Sequence, residues 1–327
     1  MKYLITGITG FTGPHLANVL HREGHEVYGL VRSSNGMETD ILDICTDEVF
    51  NSITFVYSDL TNFRKLNAIF KEHKFDGVYH LAAQTHPPTS ITDPIGTFET
   101  NVMGTVNLIQ ALLDNQPECK LMFCSSVEVY GNEGIDQRSI KETNTLLPAN
   151  PYGATKAAID LYIQERMKNK QLNAFITRAF CHTGPRRGKN FSISSDAYQI
   201  ARMMLGKQDN VLKIGNLKTW RVVMDVRDIV EGYYLLMMDE RSSGEIYNIS
   251  GDTPLQMQFY ADKLKELSAV EGITEEIEPK FWRKIDIQYQ MGDDTKFREQ
   301  TGYKNKYSIE ETLKDLLDYW VKKLSST

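Results

Sequence analysis

The strongest constraint on this chain is a rhythm in its first half. Short apolar runs alternate with amphipathic segments of helical length. KYLIT, HEVYGLV, ITFVYSD, GVYHLA, KLMFCS and NAFITRAF read as strands. GPHLANVLHREG, a segment from Phe63 to Glu72, TFETNVMGTVNLIQALLD and the run opened by PYGATKAAID read as helices. Parallel strands need a crossover of about a dozen residues or more, normally a helix. Repeated strand–helix–strand units therefore predict a parallel sheet with helices on both faces. Beyond Phe180 the rhythm loosens. A loop, CHTGPRRGKNFSIS, precedes a helix around Ala197 to Leu205, a strand VLKIGN, a helix DVRDIVEGYYLLMMDE and a strand EIYNIS. Two further helices are expected near Phe259–Ser268 and Ile309–Leu324. The pattern predicts an α/β fold: a Rossmann-like, doubly wound parallel sheet over residues 1–179, with 225–248 returning to it. Residues 180–327 are expected to form mainly a smaller, discontinuous α/β cap over the carboxyl edge, where open sheets bind ligands.

Composition narrows the function classes. The net charge is −6, and basic residues are scattered apart from Arg186-Arg187, so no nucleic-acid footprint is expected. No apolar run approaches the roughly 20 residues that span a bilayer, and MKYLITGITG reads as a strand and a turn rather than a signal peptide. Cys45, Cys119, Cys124 and Cys181 lack CxxC spacing and His partners. They read as reduced thiols, with no metal site and a cytoplasmic location expected.

Directly after the first strand, TGITGFTG places Gly7, Gly10 and Gly13 three apart, opening a helix. Glycine lets a backbone turn sharply and approach a pyrophosphate, while the helix start offers free N–H groups. Thr9, Phe11 and Thr12 complete this turn as cofactor contacts. An NAD-binding second strand usually ends in an acid that holds the ribose 2′-hydroxyl. Here Val31 occupies that place and Arg32 and Ser33 follow. A guanidinium beside hydroxyls suits a 2′-phosphate, so NADP is expected, with NAD as the alternative. Asp59 and Leu60 are placed at the adenine, and Leu81, Ala82 and Ala83 at the fourth strand's end, where bulk would collide with the cofactor.

PYGATKAAID sets Tyr152 four residues before Lys156, one turn apart on one helix face. Ser126 lies at the end of the fifth strand, in CSSVEVYG. A free phenol has a pKa of about 10, and lowering it by about 3 units takes about 4 kcal/mol of preference for the phenolate. A neighbouring ammonium and a cationic nicotinamide are expected to supply that in a water-poor cleft. With the glycine turn, Ser126, Tyr152 and Lys156 resemble the catalytic trio of the short-chain dehydrogenase/reductase superfamily. The length and cap resemble its extended branch, the NAD-dependent epimerase/dehydratase family, which acts on nucleotide-linked sugars. The resemblance covers nearly the whole chain. It implies that Lys156 holds the nicotinamide ribose, Ser126 bonds the sugar oxygen, and Tyr152 removes the hydroxyl proton as hydride leaves carbon.

TGITG, GLVRSS, GPRRGKNF and GDDTKFREQTGY are similar to the GDP-mannose 4,6-dehydratases, whose Arg-Arg loop reaches toward a neighbouring subunit's cofactor. That resemblance implies a cofactor contact for Arg187 and substrate contacts for Thr85, Ser126, Cys181, Asn190, Arg221 and Arg283. Arg221 and Arg283 would lie on the diphosphate and ribose, and Cys181 stands where relatives often carry Asn. IGNLKTWRVVMDVRDIVEGYYLL and HTGP are at least as similar to the GDP-4-keto-6-deoxymannose reductases. Glu128 matches the glutamate that serves the dehydratases as base for the C5 proton, although reductases also carry it. Val127 departs from the Asp or Ser expected to assist the leaving hydroxyl. The resulting expectation is an NADP-dependent enzyme that starts with hydride abstraction at C4 of a GDP-linked sugar, foremost a GDP-hexose 4,6-dehydratase. The alternatives are a reductase, C4 dehydrogenase or epimerase of the same family, or a catalytically idle cofactor-binding sensor. A homodimer is expected through the helix holding Asn101 to Leu113 and the helix from Tyr152, or a homotetramer through the Arg186-Arg187 loop.

Overall fold

The computed structural model describes residues 1–33, 36–133, 138–281 and 287–325. The strands are β1 (Lys2–Thr6), β2 (Glu26–Val31), β3 (Thr54–Tyr57), β4 (Gly77–His80), β5 (Lys120–Cys124), β6 (Ala174–Ala179) and β7 (Cys181–Thr183). They continue as β8 (Val211–Ile214), β9 (Trp220–Arg221), β10 (Val223–Asp225), β11 (Ile246–Ile249), β12 (Leu255–Gln256), β13 (Thr274–Ile277) and β14 (Tyr289–Gln290). One 7-stranded sheet runs in the order β11-β6-β5-β4-β1-β2-β3. Every pairing in it is parallel. The order reverses between β1 and β4, which opens a crevice at their carboxyl ends. This is the Rossmann-like sheet that the alternation predicts.

Alternation along each strand divides the core between two faces. Leu4, Val78, Leu121, Phe123 and Ile176 face the helices Phe63–Glu72, Gly104–Asn115 and Pro151–Lys168. Tyr3, Ile5, Tyr79, Met122 and Phe175 face the helices Thr12–Arg22 and Val226–Met238. Each fully buried side chain of this kind stabilises the fold by about 1.5–3 kcal/mol relative to exposure. A third cluster, built on Ala197, Ile200, Leu264, Leu313 and Leu316, joins the helices Ser192–Met204, Met257–Ser268 and Ile309–Ser325. Small sheets accompany it: β10-β7, β12-β9-β14 and β13-β8. Of these, β8 is the strand that VLKIGN predicts, whereas the others, of two to four residues, are too short for their periodicity to be read. No helix among the described residues is long and apolar enough to cross a membrane.

The long helix expected over TFETNVMGTVNLIQALLD is present, with a wider turn inside it. Pro94 opens the short helix Pro94–Phe98, and Asp93 caps it by accepting from the Gly96 amide at 2.9 Å. A π-helical segment, Glu99–Met103, follows and leads into Gly104–Asn115. Such wider turns shift the register of a helix and are frequent at functional sites. Here the segment carries the buried Asn101.

A buried ion pair clamps the site's supports together. Arg178 of β6 meets Asp160 of the helix Pro151–Lys168 through two bonds of 2.9 and 2.7 Å. Ser125, just past β5, donates to the same carboxylate at 2.7 Å. Arg178 also donates to the Tyr130 hydroxyl at 2.9 Å, and Tyr130 donates to Asn248 of β11 at 2.7 Å. The network thus ties together the strand and the helix that flank Ser126 and Tyr152.

Candidate active site

The glycine turn is tight for a visible reason. Gly7 has φ +74°, and a Cβ there would lie 2.8 Å from the Ala82 amide nitrogen of the neighbouring strand exit. A Cβ on Gly13 would lie 2.6 Å from the Gly7 carbonyl oxygen. Phe11 caps the helix Thr12–Arg22 without a side-chain acceptor, and the first turn holds no acid. Its leading amides are therefore open to an anion. Arg186 engages the carbonyls of this turn, donating to Thr9 at 2.9 Å and Gly10 at 3.0 Å, with Asp43 at 3.1 Å. Arg186 of the Arg-Arg loop is thus bonded to its own chain's glycine turn. At the ends of β2 and β3, Arg32 is exposed and Asp59 half-buried. Asp59 accepts from the hydroxyl and amide of Thr61 at 2.7 and 2.8 Å. These bonds, joined by the charge of Arg32, hold its carboxyl below the usual range.

Ser126, Glu128, Tyr152 and Lys156 converge beyond β5. The Tyr152 hydroxyl bonds Ser126. The Ser126 Oγ accepts the Glu128 amide at 3.2 Å. Asn150 shapes the corner: its Oδ1 caps the Gly153 amide at 2.9 Å and its Nδ2 donates to Glu128 Oε2 at 2.7 Å. Pro151 follows at the first helical position, where no N–H is needed. Ser90 receives the Tyr152 amide at 3.0 Å. Gly153 lets the helix touch the loop, since a Cβ would lie 2.6 Å from the Glu128 carbonyl oxygen. Val127 is buried with Val129, Tyr130, Ile140, Ala157 and Phe180. Its side chain is a core contact, whatever the family places there.

Burial pushes the Tyr152 phenol well above its ordinary value, against the opposing Ser126 bond. Cys124 and Glu128 push the same way, and Arg187 opposes them. Lys156 donates to the Cys124 carbonyl at 2.7 Å and lies 4.9 Å from the Phe123 ring centre. Burial lowers its own pKa. Desolvation is the largest influence on the phenol within the chain. Arg187 lies between the rings of Phe11 and Phe191, at 4.8 and 3.6 Å. It keeps some surface open to the cleft but is packed deeply enough that burial lowers its guanidinium to about 10.

A buried hydrogen-bond chain links the glycine turn to Tyr152. His80 bonds Thr6 at 2.7 Å and Thr105 at 2.8 Å. Thr105 donates to the Asn101 carbonyl at 2.6 Å, Asn101 donates to Thr155 at 3.0 Å, and Thr155 donates to the Tyr152 carbonyl at 2.7 Å. Because Thr105 gives its proton to Asn101, His80 must donate through Nε2 and accept from Thr6 at Nδ1. Burial lowers its pKa to about 3, which keeps that neutral tautomer in place.

The remaining predicted residues are spread around this centre. Leu60 is buried, close enough that a Cβ on Gly104 would meet its Cβ at 2.8 Å. Leu81, Ala82 and Ala83 are half-buried at the exit of β4, where Ala82 donates to Thr6 Oγ1 at 3.2 Å. Cys181 is half-buried on β7 and influences Arg187. Arg221 is half-buried on β9 and donates to the Trp220 carbonyl at 2.8 Å. Thr85 and Asn190 are exposed, and Arg283 lies outside the described residues. No metal-binding cluster occurs among the described residues. Asn150 was legible from its place before Pro151, the signature of a helix cap. Ser90, Asn101 and His80 carry no such local signal.

The family model described as GDP-mannose 4,6 dehydratase matches residues 4–316. The chain belongs to this family. It is a member of the extended short-chain dehydrogenase/reductases, as the Ser, Tyr and Lys spacing implies. The chain is 28% identical to the GDP-6-deoxy-D-mannose reductase of Pseudomonas aeruginosa, covering 98% of this chain and 97% of the relative. It is 27% identical to the GDP-mannose 4,6-dehydratase of Yersinia enterocolitica, covering 97% and 92%. The structure of RMD from Pseudomonas aeruginosa complexed with NADPH superposes with a TM-score of 0.82 at 26% identity, over 98% of this chain and 99% of that one. The dTDP-glucose 4,6-dehydratase of Bacillus anthracis in complex with NAD shares the fold, with a TM-score of 0.85 at 22% identity, over 99% and 98%. Family membership makes the chain a nucleotide-sugar dehydratase, reductase or epimerase relative.

Proposed function

We propose that this protein is an NADP-dependent GDP-hexose 4,6-dehydratase acting on GDP-mannose or a close relative. One observation supports this reading: the Glu128 carboxylate is held by Asn150 beside Ser126, the bonding partner of Tyr152. A base and a phenol at one corner suit oxidation followed by elimination. The glycine turn and open helix start fit a dinucleotide pyrophosphate, and Arg32 fits a 2′-phosphate. The cofactor supplies acceptance and return of hydride. Tyr152 takes the C4 hydroxyl proton while Ser126 orients that oxygen, and Lys156 and Arg187 supply positive charge around the phenolate as it forms. Glu128 then removes the C5 proton. Val127 offers no acid, so the proton gained by Glu128 is the one delivered to the departing C6 hydroxyl. Residues 1–179 with 225–248 form the cofactor half in this reading, and the rest forms mainly the sugar-nucleotide half.

The test is a product balance. GDP-mannose incubated with the protein and a catalytic trace of NADP should lose one water per turnover, without net accumulation of reduced nicotinamide. The second reading, a 4-keto-6-deoxy reductase, draws on the similarity to the Pseudomonas aeruginosa reductase. Given a GDP-4-keto-6-deoxy sugar and NADPH, it demands reduction of the ketone with stoichiometric consumption of NADPH, and that outcome together with inertness toward GDP-mannose would replace the dehydratase reading.

The same reading includes a homodimer. Ile91, Ile95, Phe98, Met103 and Leu161 are exposed on the segments Pro87–Met103 and the helix Pro151–Lys168. A shallow groove of about 330 Å³ lined by Ile95, Phe98, Val102 and Met103 lies among them. Contiguous apolar patches of this kind mark association surfaces. Ile95→Glu should shift a dimer toward monomer in sedimentation velocity at micromolar concentration, and a monomeric wild type would refute the dimer.

A further inference from the structure

Arg186 holds a backbone conformation that ordinarily belongs to glycine. The Arg187 amide bonds the Gly184 carbonyl at 3.0 Å, closing a turn with Pro185 and Arg186 at its central positions. Arg186 has φ +75°. Proline followed by a positive φ is the pattern of a type II turn, whose second central residue is usually glycine or asparagine because a Cβ is strained there. Among the described residues, the other non-glycine residues with positive φ are Lys170 and Ala269. Ala269 caps the helix Met257–Ser268, and Lys170 lies just past the helix Pro151–Lys168, where a left-handed residue commonly ends a helix. No helix end accounts for Arg186. Strain of this kind persists where the surroundings fix the residue.

Its side chain supplies that fixing. The guanidinium is 10% exposed. It donates to the Thr9 carbonyl at 2.9 Å, the Gly10 carbonyl at 3.0 Å, the Asp40 carbonyl, and the Asp43 carboxylate at 3.1 Å. Asp43 in turn accepts from the Tyr319 hydroxyl at 3.0 Å and from Lys323. His15 of the helix Thr12–Arg22 bonds the Pro185 carbonyl at 3.0 Å, so the turn is seated on that helix at a second point. In a trans peptide the N–H points opposite to the C=O. Holding the Thr9 and Gly10 carbonyls therefore sets the directions of the Gly10 and Phe11 amides. The Gly10 amide is spent on the Gly7 carbonyl at 3.0 Å. The Phe11 amide heads the helix Thr12–Arg22 and faces away from Arg186. A charged donor on the Gly10 carbonyl also polarises that peptide and makes its N–H a stronger donor.

We propose that Arg186 is a positioning residue for the dinucleotide: it touches no cofactor itself, and by gripping the Thr9 and Gly10 carbonyls from behind it aims and polarises the Phe11 amide toward the pyrophosphate. This rests on the reading of the glycine turn as a dinucleotide site. The planar fork of arginine bonds several acceptors at once, which the point charge of lysine does not. The strained turn is the conformation that brings the fork under both carbonyls. Arg187 leaves the same turn to lie between Phe11 and Phe191. Two adjacent arginines thus divide the work around one residue: Arg186 holds the peptide before Phe11, and Arg187 lies over its ring.

The experiment is titration of the full chain with NADPH, followed by nicotinamide fluorescence, together with phosphorus NMR of the bound cofactor at saturation. Arg186→Met and Arg186→Gly should each weaken NADPH by about tenfold or more, the worth of one hydrogen bond involving a charged group. In both variants the pyrophosphate resonances should move back toward their free positions while the 2′-phosphate resonance keeps its bound position. A general loosening of the fold would move all of them. Arg186→Gly removes the strain along with the guanidinium, so without cofactor it should melt no lower than Arg186→Met, which separates lost affinity from lost folding. A smaller loss of affinity in either variant, a 2′-phosphate resonance that moves with the pyrophosphate, or a glycine variant less stable than the methionine one would overturn the role of Arg186 and leave the dinucleotide reading standing. Failure of the wild type to bind NADPH would remove both.

Discussion

Arg178→Leu should destabilise the protein by about 3–5 kcal/mol, the usual cost of leaving one member of a buried ion pair without its partner. The pair is among the most enclosed in the chain, with side-chain exposures of 2% and 0%. Removing the guanidinium leaves the Asp160 carboxylate with only the Ser125 hydroxyl and the Gln164 amide, at 2.7 Å each. It also strips a donor from the Tyr130 hydroxyl and from the Glu142 carbonyl. Urea denaturation followed by circular dichroism reads the loss directly. The double variant Arg178→Met with Asp160→Leu should recover most of it, because no buried charge then remains. A single variant within about 1 kcal/mol of wild type would show that the pair behaves like an exposed one.

Glu128→Gln should slow product formation by about 10²–10⁴-fold, the range for loss of a general base. The substitution keeps an oxygen for the Asn150 amide, so the corner at Gly153 is preserved. Oxidation at C4 depends on Tyr152 and should continue, visible as reduced nicotinamide in a single turnover. Elimination should stall. In heavy water the wild-type product should carry deuterium at C5, and the variant should show neither that label nor loss of water. If Glu128→Gln eliminates at the wild-type rate, another base removes the C5 proton, and the observation that favours a dehydratase over a reductase is lost.

Both predictions depend on contacts of different legibility. The glycine turn could be read because its requirements are local: a strand, a positive φ at Gly7 and a helix start within a few residues. The Ser126, Tyr152 and Lys156 spacing could be read because one helical turn separates the last two. The residues that position them could not. Asn101 reaches Thr155 from a π-helical segment interrupting what the sequence presents as one long helix. His80 reads as a strand residue, yet it bridges two threonines from separate elements.

The sequence by itself determined the parallel sheet and the glycine turn and singled out the candidate reacting groups, because strand alternation, glycine placement and helical spacing are properties of neighbouring residues. Tertiary structure alone decided the state of those groups. How strongly the Tyr152 phenol is desolvated depends on how much protein encloses it, and burial is the largest influence on it. Whether Val127 faces substrate or core depends on the loop's path, and it faces the core. Whether a buried acid has a partner depends on elements far apart in the chain, which answer Asp160 with Arg178. Desolvation and long-range pairing are sums over surroundings that residue spacing does not encode.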